Sequence, residues 1–353
     1  MIETPPEPPV EHEPLAPPLS FTTAWTVFSM TAFLFVGFAA QVVHLAWGLW
    51  FSEIVLFAGL ALIGFQLLGL KALPAMGLER FDARSFGLGF AFGAVNYLAW
   101  AVPLMAAAQA IFPKSMVEQF DSARVFDRST PVELAMVLAG VSIAAPIGEE
   151  LFFRGFMQRG IEVHRGGPRA IVVTAFVFSA FHLDPVGLTA RFQLGVLFGL
   201  LVWRAGSLWP AIAAHSANNL ISAVLFLVGG DEAREADLDW RVPVVMFVLG
   251  NAVLFSLVRS SWDSLPVSRP MRFEQTTPRS PARLFAPWVL GGLASLGLLL
   301  AVDLRGVQLN VMDLRLLTTK EIRERKDVKE LRARARRGEV PLEEYEAKVK
   351  SLK

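Results

Sequence analysis

Apolar residues along this chain come in long blocks separated by short polar breaks, and they do not alternate singly. A helix needs about 20 apolar residues to cross the hydrocarbon of a bilayer. Nine stretches approach that length, near 21–44, 51–70, 86–111, 132–158, 169–184, 188–204, 208–229, 241–259 and 284–302. The pattern predicts an all-α fold, a polytopic membrane bundle of eight or nine transmembrane helices. Three parts follow: a disordered Pro/Glu-rich tail over 1–20, a multi-pass domain over 21–302 with its polar-marked core at 131–228, and a charged, helical tail over 303–353. No internal repeat at the roughly 20–50 residue periods of repeat folds is present, nor a matched pair of broken helices of the inverted-repeat kind.

Local signals place several helix ends. Thr130 is suited to N-cap the helix bearing the densest charge, with Pro131 at its first position and Glu133 completing a capping box. Pro146 inside that helix lacks an N–H and should kink it. Gly166 and Gly167 break the chain before the next helix, and Gly206 with Ser207 ends one helix and starts another.

Composition agrees with the blocks, since 54% of the residues are hydrophobic and 18% charged, too apolar for a soluble domain. The formal net charge of +1 hides an uneven layout, with no Lys or Arg in residues 1–70. Charge therefore reports topology, not nucleic-acid binding, and the partners expected are the lipid bilayer and a membrane-associated protein or peptide. Lys71, Arg80 and Arg84, then Arg159, Arg165 and Arg169, then Arg204, then Arg259, Arg269, Arg272, Arg279 and Arg283 mark alternate loops as cytosolic. The first hydrophobic helix serves as the targeting signal, and a bacterial inner membrane is the expected location. If all nine stretches cross, the basic C-terminal tail lies on the other side, and its side is left open. The chain has no Cys, so any chemistry falls to Asp, Glu, His, Ser or Lys.

An ionised side chain at mid-membrane costs roughly 2.5–3.5 kcal/mol on insertion scales, so buried ones need partners or a function. Three places carry them: Glu149, Glu150 and Arg154 in "GEELFFRG"; His182, ending "FSAFH" from Phe178; and His215 with Asn219 in "HSANN". Counted from Arg159, Arg169 and Arg204, all lie about 15–20 Å in at helical rise, which suggests one site opening toward those loops on the cytosolic side. Glu150 and Arg154 are spaced to pair, leaving Glu149 free, and His215 and Asn219 share a helix face. Two histidines, a carboxylate and an amide can activate water and stabilise an oxyanion, or Glu149, His182 and His215 can hold Zn2+. The alternatives are a helix-gluing ion pair at Glu150 and Arg154, interhelical hydrogen bonding by the histidines, a proton or metal-ion carrier, and a non-catalytic scaffold. His44, His164 and His12 read as interface or surface residues, and the abundant Phe and Trp as lipid-facing.

"EELFFR", "FSAFH" and "HSANN" fit Glu-Glu-x-x-x-Arg, Phe-x-x-x-His and His-x-x-x-Asn. In these motifs and their order the chain resembles the CPBP (CAAX protease and bacteriocin-processing, or Abi) intramembrane proteases over about Pro131 to Val228. The resemblance implies an endopeptidase with Glu149 as general base, His182 holding the attacking water, His215 and Asn219 donating to the oxyanion, and Glu150 and Arg154 arranging the helix. The metal requirement stays open. Leu331–Lys353 resembles, more faintly, the short C-terminal domain appended to many bacterial membrane proteins.

Overall fold

Helices form every long element among the described residues. The structure is a computed structural model and describes residues 16–79, 81–121, 125–126, 130–235, 239–265, 272–277, 279–317, 322 and 325–352. Most of the N-terminal tail, Arg80, Arg269 and part of the acidic loop before Trp240 lie outside them. In chain order the long helices are α1 (Leu19–Val43), α2 (Leu45–Leu67), α3 (Ala83–Ile111), α4 (Pro131–Arg165), α5 (Gly167–Phe181), α6 (Leu188–Ala205), α7 (Trp209–Glu235), α8 (Arg241–Ser261) and α9 (Pro281–Leu316). Eight of these are long and apolar enough to cross a membrane, and α5, at 15 residues, is the shorter ninth. The chain is an all-α, multi-pass membrane protein.

Burial separates the inner helices from the outer ones. Within its apolar window 67% of α2 is buried, against 6% of α8 and of α9, which lie at the outside of the bundle. α2 therefore runs through the middle, against α4. Their closest approach is at Gly148, where an added Cβ would lie 2.8 Å from the Glu53 carbonyl carbon and 2.9 Å from its Cα. Only glycine lets the two backbones come that close.

The core is more aromatic than the lipid-facing reading allows. Phe57, Phe65, Phe92, Phe152, Phe153, Phe156 and Phe198 are almost wholly buried, while Phe35, Phe38 and Phe255 face outward. The rings stack on one another, as Phe57 does on Phe152 at 4.7 Å between centroids. Inside a membrane there is no hydrophobic drive to bury a ring, so shape-filling contact decides where it goes.

The local signals resolve as follows. Thr130 Oγ1 accepts from the Glu133 N–H at 3.2 Å and starts α4. Around Pro146 the helix is wound wider than α, over Gly140–Ala144 before it and Glu150–Gln158 after it, which accommodates the ring and its missing donor. Gly206 ends α6 at φ 63°, and Ser207 donates to the Gly77 carbonyl at 2.8 Å.

Two expectations change at the C-terminal end. α9 does not stop at residue 302 but bends at Asp303 (φ −139°, ψ 44°) and continues to Leu316. Beyond it α10 (Lys326–Arg336) and α11 (Leu342–Lys350) pack back on its end through Leu309, Leu316, Val328, Tyr345 and Val349. His44 is the second: it is buried, not at an interface. Its Nδ1 accepts from the Trp47 N–H at 3.2 Å, capping α2, and its Nε2 lies 3.1 Å from Asp303.

Candidate active site

The three polar motifs converge from α4, the end of α5 and α7. Glu150 and Arg154 pair as their spacing predicts, with Arg154 Nη1 donating to Glu150 Oε1 at 2.9 Å, both side chains fully buried. The same Glu150 oxygen lies 3.0 Å from His215 Nδ1. One carboxylate thus holds the guanidinium and the imidazole together, and His215 is left with only Nε2 facing the site. The His215 ring also stacks on Phe198, 4.8 Å between centroids at 20°.

Phe178 has two tasks that its motif position alone did not reveal. Its ring lies 4.3 Å under the Arg154 guanidinium, a cation–π contact in a water-poor setting. Its carbonyl sits 2.8 Å from His182 Nδ1. A carbonyl can only accept, so Nδ1 carries the hydrogen and Nε2 presents a lone pair.

Glu149 is placed differently from Glu150. Its Oε1 is 4.0 Å from His182 Nε2 and its Oε2 is 3.7 Å from His215 Nε2. Neither separation is a hydrogen bond, and Oε2 is a buried oxygen with no partner. Each gap is wide enough for one water to bridge. Asn219, a turn beyond His215, donates from Nδ2 to the Val141 carbonyl at 2.9 Å, and its Oδ1 accepts from Asn218 at 3.1 Å. It ties α7 to α4, with one Nδ2 hydrogen outside that tie.

Zinc would need ligand atoms about 2.0–2.2 Å from the ion, hence about 3.4 Å from each other. The predicted set of Glu149, His182 and His215 is wider than that. Among the described residues a second group, His44, Glu133 and Asp303, has its ligand atoms all within 4.8 Å of one another. Glu149 Oε1 and Oε2 lie 4.0 and 3.7 Å from the two imidazole Nε2 atoms, a few tenths of an ångström beyond the separation of ligands on one ion.

Side-chain exposure differs between the two ends of the site. Between it and the loops of Arg159, Arg169 and Arg204 lie Phe153, Arg154, Phe156, Gln158, Phe198, Leu201 and Leu208, all fully buried. The depth count treated each helix as starting at the surface, but α7 begins beside the fully buried Leu208. Exposure lies at the other end, where the His182 side chain is 28% exposed and Leu183 and Ile143 reach the surface. That end is the one from which α9 leads into the tail.

Sequence reading missed three nearby residues. Asp184 and Arg191 pair at 2.6 Å in the turn after His182, and Asp184 Oδ1 also accepts from the Val186 and Gly187 N–H groups, so the turn is pinned. Glu53 of α2 is buried beside Gly148. It was visible as the sole charged residue in the apolar run 51–70, but no motif flanks it.

Fold and site together define a polytopic membrane protein with a carboxylate–imidazole centre sunk between its helices. Residues 131–221 match the family model described as type II CAAX prenyl endopeptidase, Rce1-like, in agreement with the CPBP resemblance of that segment. No curated protein and no solved structure matches the chain. The family match supports a CAAX-type intramembrane protease.

Proposed function

We propose that the protein hydrolyses a peptide bond of a membrane-associated protein or peptide, with a water held between Glu149, His182 and His215 as the nucleophile. One observation carries this reading: Glu149 is the acid of the motif left without a direct partner, facing two imidazole Nε2 atoms across water-sized gaps. His182 Nε2 accepts one hydrogen of the water and Glu149 takes the other as a proton. The hydroxide attacks the carbonyl carbon, and the oxygen that becomes negative takes hydrogen bonds from the second Nδ2–H of Asn219 and from Nε2–H of a His215 that carries a hydrogen on each ring nitrogen, its Nδ1–H going to Glu150. Glu149 then returns its proton to the leaving nitrogen as the C–N bond breaks. Glu150, Arg154 and Phe178 fix the two imidazoles and do not themselves touch substrate.

Terminal-peptide profiling of membranes from cells making the wild-type chain or Glu149→Gln tests the activity. New peptide ends present only with the wild type are expected. Identical ends, with both proteins folded and inserted, would refute it. The bacterial inner membrane remains the proposed location. The side from which substrate enters follows from the exposed end of the site, which shares a face with the tail. Because the chain has no Cys, single cysteines report sidedness cleanly. An impermeant thiol reagent is expected to label Leu183→Cys and Lys350→Cys from one side and Arg165→Cys from the other. Labelling of Leu183→Cys together with Arg165→Cys would reverse the assignment.

A further inference from the structure

Glu53 is a buried acid for which the proposed mechanism has no use. It is 2% exposed, on the central helix α2, at the point where α2 and α4 touch through Gly148, one residue before Glu149. Its Oε2 is buried without a hydrogen-bond partner, as is Oε2 of Glu149. The cations and imidazoles around the site are committed elsewhere. Arg154 is held by Glu150, Arg191 by Asp184, His182 Nδ1 by the Phe178 carbonyl and His215 Nδ1 by Glu150. The contact at Gly148 brings Glu53 to within one residue of Glu149 along α4. Two carboxyls with unbonded buried oxygens in one water-poor site are accommodated by sharing a proton.

We propose that Glu53 is a positioning residue of this site: its carboxyl keeps a proton and donates it as a hydrogen bond, directly or through one water, to Glu149 Oε2. This rests on the peptidase reading for its purpose, but not for its test. In the cycle the proton on Glu53 is not consumed. Water's proton moves to Glu149 and on to the leaving nitrogen, while Glu53 holds the Glu149 carboxylate ionised and aimed at the water. The acid at the centre of α2 thereby has a partner, and the close approach at Gly148 has a consequence beyond packing.

Infrared spectroscopy of the purified full chain in lipid nanodiscs, in H2O and D2O, reads the protonated carboxyl directly. At neutral pH the wild type is expected to show a carboxylic-acid C=O band that is lost in Glu53→Gln and shifted in frequency in Glu149→Gln. Thermal melts confirm that the variants are folded. The Glu149→Gln shift tests the proposal without altering Glu53, should that variant fail to fold. Absence of the band in the wild type, its persistence in Glu53→Gln, or an unshifted band in Glu149→Gln would each overturn the proposal. Cleavage adds a second readout: Glu53→Leu, which cannot donate, is expected to slow turnover about tenfold, and Glu53→Gln, which can, to restore it. Cleavage that requires Glu149 while the infrared band stays in Glu53→Gln would defeat this inference alone. Infrared results as expected in a chain that cuts nothing would defeat only the peptidase reading.

Discussion

Two polar clusters of similar composition lie among the described residues, and the proposed function assigns chemistry to only one of them. Where α1 ends and α9 bends, Arg336 of the tail donates to Glu133 at 2.8 Å and to Asp303 at 2.5 Å, and His44 lies 3.1 Å from Asp303. Both carboxylates there hold a direct partner. In the membrane core Glu150 is held the same way, by Arg154 and His215, but Glu149 stands 3.7 and 4.0 Å from its nearest imidazoles. The ligand atoms of the first cluster lie within 4.8 Å of one another, yet there a guanidinium already binds both acids. What distinguishes a reactive cluster is the acid left unsatisfied, since a group already bonded has less to gain from a water or a substrate.

The largest effect expected on this contrast comes from the core. Arg154→Met removes the partner of a fully buried carboxylate, which costs about 3–5 kcal/mol. Thermal melts in detergent should show it as lost or strongly depressed unfolding, and the double change Glu150→Gln with Arg154→Met should recover much of it. A single variant as stable as the wild type would mean that Glu150 is not held as the structure shows it.

Asn219→Leu comes next. Leucine cannot donate, and a lost oxyanion donor slows turnover by about 10² to 10³ with KM little changed. It also cuts the tie to Val141, so a fall in melting temperature with unchanged kcat would assign Asn219 to structure alone.

The smallest effect belongs to the outer cluster. Arg336→Met removes charge-assisted hydrogen bonds at a largely buried position, 14% exposed, and should cost about 1–3 kcal/mol. Cleavage should stay within about twofold of wild type, measured on any substrate identified by peptide profiling. A collapse of cleavage would show that the two clusters are not independent.

The sequence revealed much of the core and little of its surroundings, for definite reasons. Glu150 with Arg154, and the capping of α4 by Thr130, depend on neighbours three or four residues apart, and helical spacing alone finds them. The meeting of Glu149, His182 and His215 follows from three motifs on successive helices. A depth counted from loop arginines takes no account of α7 starting from a buried turn at Leu208. Glu53 and the burial of His44 depend on partners far along the chain, Gly148 and Asp303, and no local pattern announces such contacts.

The central claim is that adjacent glutamates have opposite tasks, Glu149 taking a proton from water and Glu150 holding the frame. Cleavage and melting temperature measured side by side for Glu149→Gln and Glu150→Gln test it most directly. The account predicts that Glu149→Gln melts like the wild type and loses about 10² to 10⁴ in turnover, whereas Glu150→Gln loses stability first. Full turnover in a folded Glu149→Gln protein would contradict it.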